Sequence, residues 1–379
     1  MKGSLGRRSI LPTEWTALAA AVGMALALQK ISVGSDLGLI VRNSLLVTSA
    51  AFAEGIAGVL VLYAAFLWLR GPRGKRLAFA RASLRTSRFS ERTLWQDLFR
   101  MVLALWVVLL AHYLVKTSIH VFNPRVYDPW LWRSDRWLGF GHDPKLIVLS
   151  AISWPPLLHA FDVLYSLVYP LLFSLTPPLF ALLAPTRRLR IAAMTGFCLL
   201  WVLGGLLYVA FPSWGPVYTQ PSHYESTLQS MPVTVYVQQQ LFLELKGELE
   251  RPQGPRPIQY GGVAAFPSLH LAVITLFTLA AWKIFRPWFW GNLAVTVGMF
   301  FGSLLTGYHY LLDSLAGIVL GGTCFWIALA WTQWCLQSAP GENDAPESSG
   351  GPSGGPRPKD DNICHFGADT LGRSPVTTD

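Results

Sequence analysis

Two histidines in short, distinctive contexts are the residues of this chain best suited to covalent chemistry. His270 ends the segment 266–270 (Phe-Pro-Ser-Leu-His), and His309 lies in the segment 307–313 (Gly-Tyr-His-Tyr-Leu-Leu-Asp), which ends in Asp313. Residues four apart on a helix share a face, so the Asp313 carboxylate can accept a hydrogen bond from one imidazole nitrogen and leave the other basic. Such a pair of histidines is equipped to pass a phosphoryl group through a covalent phosphohistidine.

The residues beside each histidine suit this chemistry. Pro267 and Ser268 are typical of a helix start, where free N–H groups and the positive end of the helix dipole attract a phosphate. In that first turn His270 can protonate a leaving oxygen. Ser268 and Tyr308 are the neighbouring candidates for substrate binding, although a tyrosine at this place also suits an interfacial anchor.

Membrane helices must position these residues. Of the 379 residues, 52% are hydrophobic and 13% are charged, whereas a soluble domain has about 25% charged residues. The mean hydropathy is +0.39, and the apolar residues form blocks of about 20, long enough to cross a hydrocarbon core about 30 Å thick. We therefore expect an all-α, polytopic membrane helix bundle.

The apolar blocks predict about eight spans. They cover roughly residues 14–31, 45–69, 98–117, 157–184, 191–211, 267–285, 288–308 and 310–335. With a cytoplasmic amino terminus, 20 of the 30 Lys and Arg residues lie on the cytoplasmic side, as the positive-inside rule requires. Both histidine motifs then lie on the non-cytoplasmic face and the tail is cytoplasmic, which predicts an integral protein of the cell membrane.

Three regions follow from this pattern. Residues 1–97 hold two transmembrane helices and a basic cytoplasmic loop, residues 98–337 form a six-helix catalytic membrane domain, and residues 338–379 form a disordered tail rich in Gly, Pro, Ser and Asp. The Trp-rich connection at about 118–156 predicts interfacial helices lying along the membrane.

Several classes of partner are disfavoured. The four cysteines include no Cys-x-x-Cys pair, and no set of Cys, His or carboxylate residues has metal-ligand spacing, so we expect neither a metal nor a cofactor. A net charge of +9 could indicate nucleic acid, but the basic residues lie in short connections between apolar runs. The expected partners are a lipid substrate and the bilayer; the oligomeric state stays open.

Two carboxylates fall inside predicted spans. Glu54 and Asp162 are functional candidates, because an intramembrane carboxylate is costly. For Glu54 a hydrogen-bonded place in a helix seam is the alternative. For Asp162 a position lining the site and a structural role are equally compatible with the sequence.

The two histidine motifs together resemble the type 2 phosphatidic acid phosphatase superfamily, and most closely the branch of the fungal inositol phosphorylceramide synthases and their bacterial relatives. The resemblance covers about residues 98–335. It implies a six-helix core whose site faces the outside or the lumen. It also implies that His309 is the nucleophile, Asp313 its orienting partner and His270 the general acid.

The chain departs from the superfamily pattern at the cations that would hold the phosphate. A Ser-Arg pair usually opens the last motif, but the segment 301–304 reads Phe-Gly-Ser-Leu. A Lys-x6-Arg-Pro motif is expected before Pro267; Lys116 opens a near match (Lys-x6-Asn-Pro), but two spans too early. Arg251 and Arg256 are therefore the candidate phosphate-binding cations. The segment 212–216 (Pro-Ser-Trp-Gly-Pro) also resembles a pocket-shaping loop of this branch, although by itself it indicates only a turn.

These observations favour an enzyme that transfers the phosphate-containing headgroup of a phospholipid, or hydrolyses a lipid phosphate, through a phosphohistidine. The alternative within the same chemistry is a lipid phosphate phosphatase that releases inorganic phosphate. A third hypothesis, from another class, is a transporter or membrane scaffold in which Glu54 and Asp162 serve an ion path.

Overall fold

The structure, a computed structural model, describes residues 10–31, 37–72, 74–78, 89, 91–250 and 262–337. Arg251, Arg256 and the predicted tail at 338–379 lie outside the described residues.

All regular structure in these described ranges is helical. The helices are α1 (Pro12–Leu28), α2 (Leu37–Arg70), α3 (Arg92–Lys116), α4 (Ile119–Phe122), α5 (Asp128–Leu138), α6 (Pro144–Ala151), α7 (Pro155–Val163), α8 (Tyr169–Leu183), α9 (Arg187–Ala210), α10 (Pro216–Thr219), α11 (Glu225–Leu228), α12 (Pro232–Glu250), α13 (Leu269–Ile284), α14 (Arg286–Thr306) and α15 (Leu311–Gln337). One turn of π-helix, Leu164–Val168, joins α7 to α8 without a break in the helical chain.

Six of these helical segments are long and apolar enough to cross a membrane. They are Gly38–Arg70, Arg92–Lys116, Pro155–Leu183, Arg187–Ala210, Arg286–Thr306 and Leu311–Gln337. The helices α1 and α13 are apolar but shorter, with 17 and 16 residues. The prediction of an all-α membrane protein is thus confirmed to this extent: the regular structure of the described residues is helical, and it includes six candidate spans. The count of eight spans and the six-helix core stay predictions.

Helix α13, which begins beside the first histidine motif, packs between α9, α14 and α15. Gly317 and Gly321 of α15 face the backbone of α13, where a Cβ atom would collide with the carbonyl oxygens of Ser268 and Ala272. Because glycine has no side chain there, the two helices approach closely. This contact holds the start of α13 against the start of α15, which are the two places where the histidines lie.

The two amino-terminal helices pack against the same bundle. Helix α1 lies against α3 and α9, and Arg100 of α3 donates two hydrogen bonds of 2.6 Å to the carboxylate of Glu14. Helix α2 lies against α8, where Gly55 comes close to Ser174 and Pro178. The two described amino-terminal helices therefore pack directly on the rest of the described bundle.

The connection between α3 and α7 contains the short helices α4, α5 and α6. Large apolar side chains on and beside them are exposed, among them Trp130, Trp137, Phe140 and Trp154. Exposed tryptophans on short helices suit an interfacial location, which stays a prediction for this connection.

Candidate active site

The structure brings His270 and His309 into direct contact. His270 is in the first turn of α13, whose N-cap is Ser268, and His309 lies in the four-residue turn between α14 and α15. Nδ1 of His270 is 3.2 Å from Nε2 of His309. Two residues that are 39 positions apart thus meet because the adjacent ends of α13, α14 and α15 converge.

His309 is oriented by the main chain. Its Nδ1 lies 2.9 Å from the carbonyl oxygen of Ala265, which can only accept a hydrogen bond, so Nδ1 carries the hydrogen. In the neutral ring, Nε2 then has the lone pair and faces His270. Burial lowers the pKa of His309 to about 3, which keeps the ring neutral at physiological pH. A neutral imidazole with its free nitrogen directed at a second histidine has the form of a nucleophile.

Asp313 is near His309 but has a different direct partner from the one the sequence suggested. Its Oδ2 atom is 3.8 Å from Nδ1 of His309, beyond hydrogen-bond length, and accepts the N–H of Tyr310 at 2.9 Å. The carboxylate is fully buried. It can therefore stabilise positive charge that develops on His309, while the carbonyl of Ala265 sets the tautomer.

The two histidines open onto a cavity of about 290 Å³. Its lining is mainly aromatic and apolar and consists of Lys116, Tyr165, Ser166, Tyr169, Pro170, Trp214, Tyr218, Val237, Leu241, Gly262, Val263, Ala264, His270, Tyr308 and His309. Among these described lining residues Lys116 is the one that carries a full positive charge. The described part of the lining thus provides one cation, two imidazoles and several aromatic side chains.

Lys116 reaches the cavity from the end of α3. Asn123, seven residues later, donates a hydrogen bond of 2.9 Å to the carbonyl of Val209, which ties this connection to the end of α9. Of the Lys-x6-Asn-Pro segment, which comes early in sequence, Lys116 lines the cavity. The ends of helices on one face of a bundle can meet whatever their order in the chain, so an early position in sequence is compatible with a place at the cavity.

Tyrosines from the π-turn and α8 surround His270. The rings of Tyr165 and Tyr169 each lie 5.0 Å from the His270 ring, and Tyr308 stacks on Tyr165 at 5.2 Å. The Tyr165 hydroxyl and the Trp214 indole N–H are both buried without a hydrogen-bond partner among the described residues. Since buried polar groups normally have partners, these two donors at the cavity are candidates for ligand contacts.

The segment 212–216 shapes the wall beside His309. Ser213 accepts the N–H of Ala265 through its carbonyl and the N–H of Phe266 through its hydroxyl, both at 2.9 Å. Gly215 has φ +98°, and a Cβ atom there would lie 2.5 Å from the carbonyl oxygen of Tyr308. This turn thus fixes the backbone segment that carries the Ala265 carbonyl.

Two buried aspartates of α5 anchor the surrounding loops. Asp128 accepts the N–H groups of Trp214 and Gly215 at 2.8 Å. Asp135 accepts those of Leu311 and Leu312, the first residues of α15, at 2.6 and 2.9 Å. Burial raises the pKa of Asp135 to about 7 and the two N–H bonds counteract this. Asp128 therefore holds the turn at 212–216, and Asp135 holds the start of α15, directly after the turn that carries His309.

Asp162 has a structural position of the same kind. It is fully buried and accepts the N–H groups of Val233 and Thr234 at 3.1 and 2.7 Å. It therefore caps α12, the helix that supplies Val237 and Leu241 to the cavity wall. The sequence left open whether Asp162 lines the site; its carboxylate serves a neighbouring helix instead.

The predicted substrate-binding residues divide into three groups. Tyr308 lines the cavity. Ser268 is fully buried, and its hydroxyl accepts the N–H of Leu271 at 3.4 Å, so it caps α13 and its hydroxyl does not face the cavity. Arg251 and Arg256 are outside the described residues. Within the described part of the chain, no three His, Cys, Asp or Glu side chains are grouped so as to hold a metal ion.

A family model described as the PAP2 superfamily matches residues 129–327, which include both histidines and Asp313. This chain belongs to the PAP2 superfamily. Membership supports a membrane-bound enzyme of the phosphatase or phosphotransferase type. Neither the comparison with curated proteins nor that with solved structures gave a match. Helices α1 to α3, and with them Lys116, precede the matched residues.

Proposed function

We propose that this PAP2 protein transfers a phosphate-containing group from a lipid through a covalent intermediate on His309. The observation that carries the proposal is the 3.2 Å contact between the ring nitrogens of His270 and His309 at a cavity that also holds Lys116. A neutral, oriented nucleophile beside a proton donor is the arrangement that nucleophilic catalysis needs.

The first step breaks the bond between phosphorus and the leaving oxygen. Nε2 of His309 attacks phosphorus and forms a P–N bond, while His270 gives a proton to the departing oxygen. Binding of the phosphate replaces the resting contact between the two imidazoles. The Asp313 carboxylate, 3.8 Å from Nδ1, stabilises the positive charge on the His309 ring.

The second step restores the enzyme. Water or an alcohol attacks phosphorus, His270 accepts its proton, and the P–N bond to His309 breaks. Lys116, the Tyr165 hydroxyl and the Trp214 N–H are placed to contact the phosphoryl oxygens. Charge stabilisation by such fixed donors in a cavity shielded from water is the usual main source of catalysis.

Within this chemistry we propose headgroup transfer, as in the inositol phosphorylceramide synthase-like branch, rather than release of inorganic phosphate. The Leu in Phe-Pro-Ser-Leu-His and the lack of a Ser-Arg pair before His309 are features of that branch. One described cation and an aromatic lining also suit a phosphodiester, which has a single negative charge, better than a phosphomonoester, which has up to two.

A lipid labelled separately in its phosphate and its acyl chains distinguishes the two reactions. Headgroup transfer to an added acceptor lipid alcohol yields a new labelled phospholipid and no free phosphate. Free phosphate, with no labelled phospholipid, would favour the phosphatase. A His309→Gln variant purified in the same way is the control, and turnover by this variant would contradict the proposed chemistry for both reactions.

We also propose that the cavity faces the non-cytoplasmic side of the cell membrane. The support is the excess of Lys and Arg in the connections on the opposite face of the predicted bundle. A single cysteine introduced in place of exposed Ser222, close to the cavity-side ends of the helices, should react with a membrane-impermeant thiol reagent in intact cells. Labelling that requires lysed cells would reverse the orientation.

The third hypothesis, an ion path, receives no support from the two carboxylates that motivated it. Asp162 binds the backbone of α12, and Glu54 is exposed on the outer face of α2. The two groups are thus not part of a common polar path among the described residues.

A further inference from the structure

Glu54 is a carboxylate inside a candidate membrane span that has no part in the proposed catalysis. It lies at the midpoint of the candidate span Gly38–Arg70, and its side chain is exposed. It forms no hydrogen bond or ion pair with another described residue. In a bilayer this exposure is to hydrocarbon, which offers no hydrogen-bond partner.

The outer face of α2 has the spacing of a helix–helix seam. Val47, Ala50, Glu54, Ala57 and Val61 follow one another at intervals of three and four residues, which are the a and d positions of a heptad repeat. Val47 and Val61 are 68% and 67% exposed, and the other three are exposed as well. We name these five residues the α2 seam.

The opposite face of α2 is already used by the chain's own fold. Phe52 and Val59 are buried, and Gly55 packs closely against Ser174 and Pro178 of α8. The α2 seam therefore points away from the bundle. Small residues at two of its five positions allow another helix to come close.

We propose that the α2 seam is the contact between two copies of this chain, with the Glu54 side chains paired across it. In a membrane, a closed dimer has its two-fold axis along the bilayer normal, so a residue on the seam meets its own copy at the same depth. A protonated carboxyl group has one donor and an acceptor and is complementary to itself. A single polar residue at an a position is also a known means of specifying dimers.

The test measures dimerisation of the full-length protein in liposomes by single-molecule photobleaching at increasing lipid dilution. Glu54→Leu removes the hydrogen bonds, and Ala57→Trp puts bulk on the α2 seam; each should raise the dissociation constant at least tenfold. Glu54→Gln keeps a self-complementary amide and should dimerise within about threefold of the wild type. Ser49→Trp, exposed on α2 but off the seam, is the matched control and should have no effect.

A wild-type protein that stays monomeric at all dilutions would overturn the proposal, and so would undiminished dimerisation of both Glu54→Leu and Ala57→Trp. Unchanged melting temperatures of these variants at high dilution show that each still folds. The outcome is independent of the catalytic proposal, because Glu54 does not line the cavity.

Discussion

The ring of His309 takes its orientation from the carbonyl oxygen of Ala265, 2.9 Å from Nδ1. The carboxylate expected in that role, Asp313, is 3.8 Å from the same nitrogen. Two different groups therefore act on the ring: the Ala265 carbonyl sets the tautomer, and the Asp313 carboxylate lies where it can stabilise positive charge. This separation can be measured.

Replacing Asp313 with Asn should lower kcat only about 10- to 100-fold. In a triad where the carboxylate sets the tautomer, the same change costs about 10⁴-fold, but here the main-chain carbonyl keeps Nδ1 protonated. The asparagine oxygen can still accept the N–H of Tyr310, so the fold is retained. Steady-state kinetics beside His309→Gln provide the comparison; an equal loss in both variants would show that Asp313 does set the tautomer.

Replacing Lys116 with Met should lower kcat/KM by about 10²- to 10³-fold, because a fixed donor to the phosphoryl oxygens is lost. Lys116→Arg keeps the charge and should recover part of the activity, although its planar head fits a different geometry. Lys30→Met is the control, since Lys30 is exposed and does not line the cavity. Full activity of Lys116→Met would remove Lys116 from the site.

Replacing Gly215 with Ala should destabilise the protein by about 1–3 kcal/mol and reduce turnover. Its φ of +98° disfavours a side chain, and the new Cβ would press on the carbonyl of Tyr308, the residue before His309. Gly291→Ala in α14, where a Cβ meets no neighbour within 4 Å, should keep both the melting temperature and the activity. Equal melting curves for the two variants would contradict the close contact.

The buried state of His309 predicts a pH-dependent stability. The unfolded imidazole titrates near 6.5, and burial lowers the native pKa to about 3. Between these values the unfolded state binds the additional proton, so the native state loses stability as pH falls from about 6.5 toward 3, by up to about 1.4 kcal/mol per unit.

His309→Gln lacks this proton uptake. In detergent, its melting temperature should therefore fall less steeply than that of the wild type between pH 6.5 and 4. Parallel melting curves over this range would mean that His309 is not held neutral in the fold.

The histidine pair could be predicted from the sequence because its signal is local. Each motif has an N-cap or turn residue beside the histidine. The alternation of apolar runs predicts that both histidine motifs lie on the same side of the membrane. The same reasoning gave the all-helical membrane fold. The tight packing of α13 on α15 through Gly317 and Gly321 agrees with their spacing, since two glycines four residues apart let a second helix come close.

The groups that support the histidine pair could not be predicted from the sequence, for physical reasons. The Ala265 carbonyl is a backbone atom, so no residue type marks it. Asp128, Asp135 and Asp162 each serve backbone N–H groups of a distant segment, and a lone aspartate in sequence gives no indication of such a contact. Lys116 was set aside because of its place in the chain, whereas its place in space depends on where α3 ends.

For Glu54, the sequence identified an unusual residue but not the direction in which its side chain points. Its position inside an apolar run identified it as unusual, but only the structure shows that it faces outward and that the bundle uses the other side of α2. The sequence analysis offered a hydrogen-bonded place for Glu54 between two helices of the same chain. The described residues do not form such a place.

Trapping the covalent intermediate shows whether His309 is the nucleophile. The wild type is quenched within one turnover of a ³²P-labelled lipid substrate, and the label is located on the chain by peptide mapping. The expected result is an acid-labile, alkali-stable label on His309 that is absent from His309→Gln. Label on any other residue, or unimpaired turnover by His309→Gln, would contradict it.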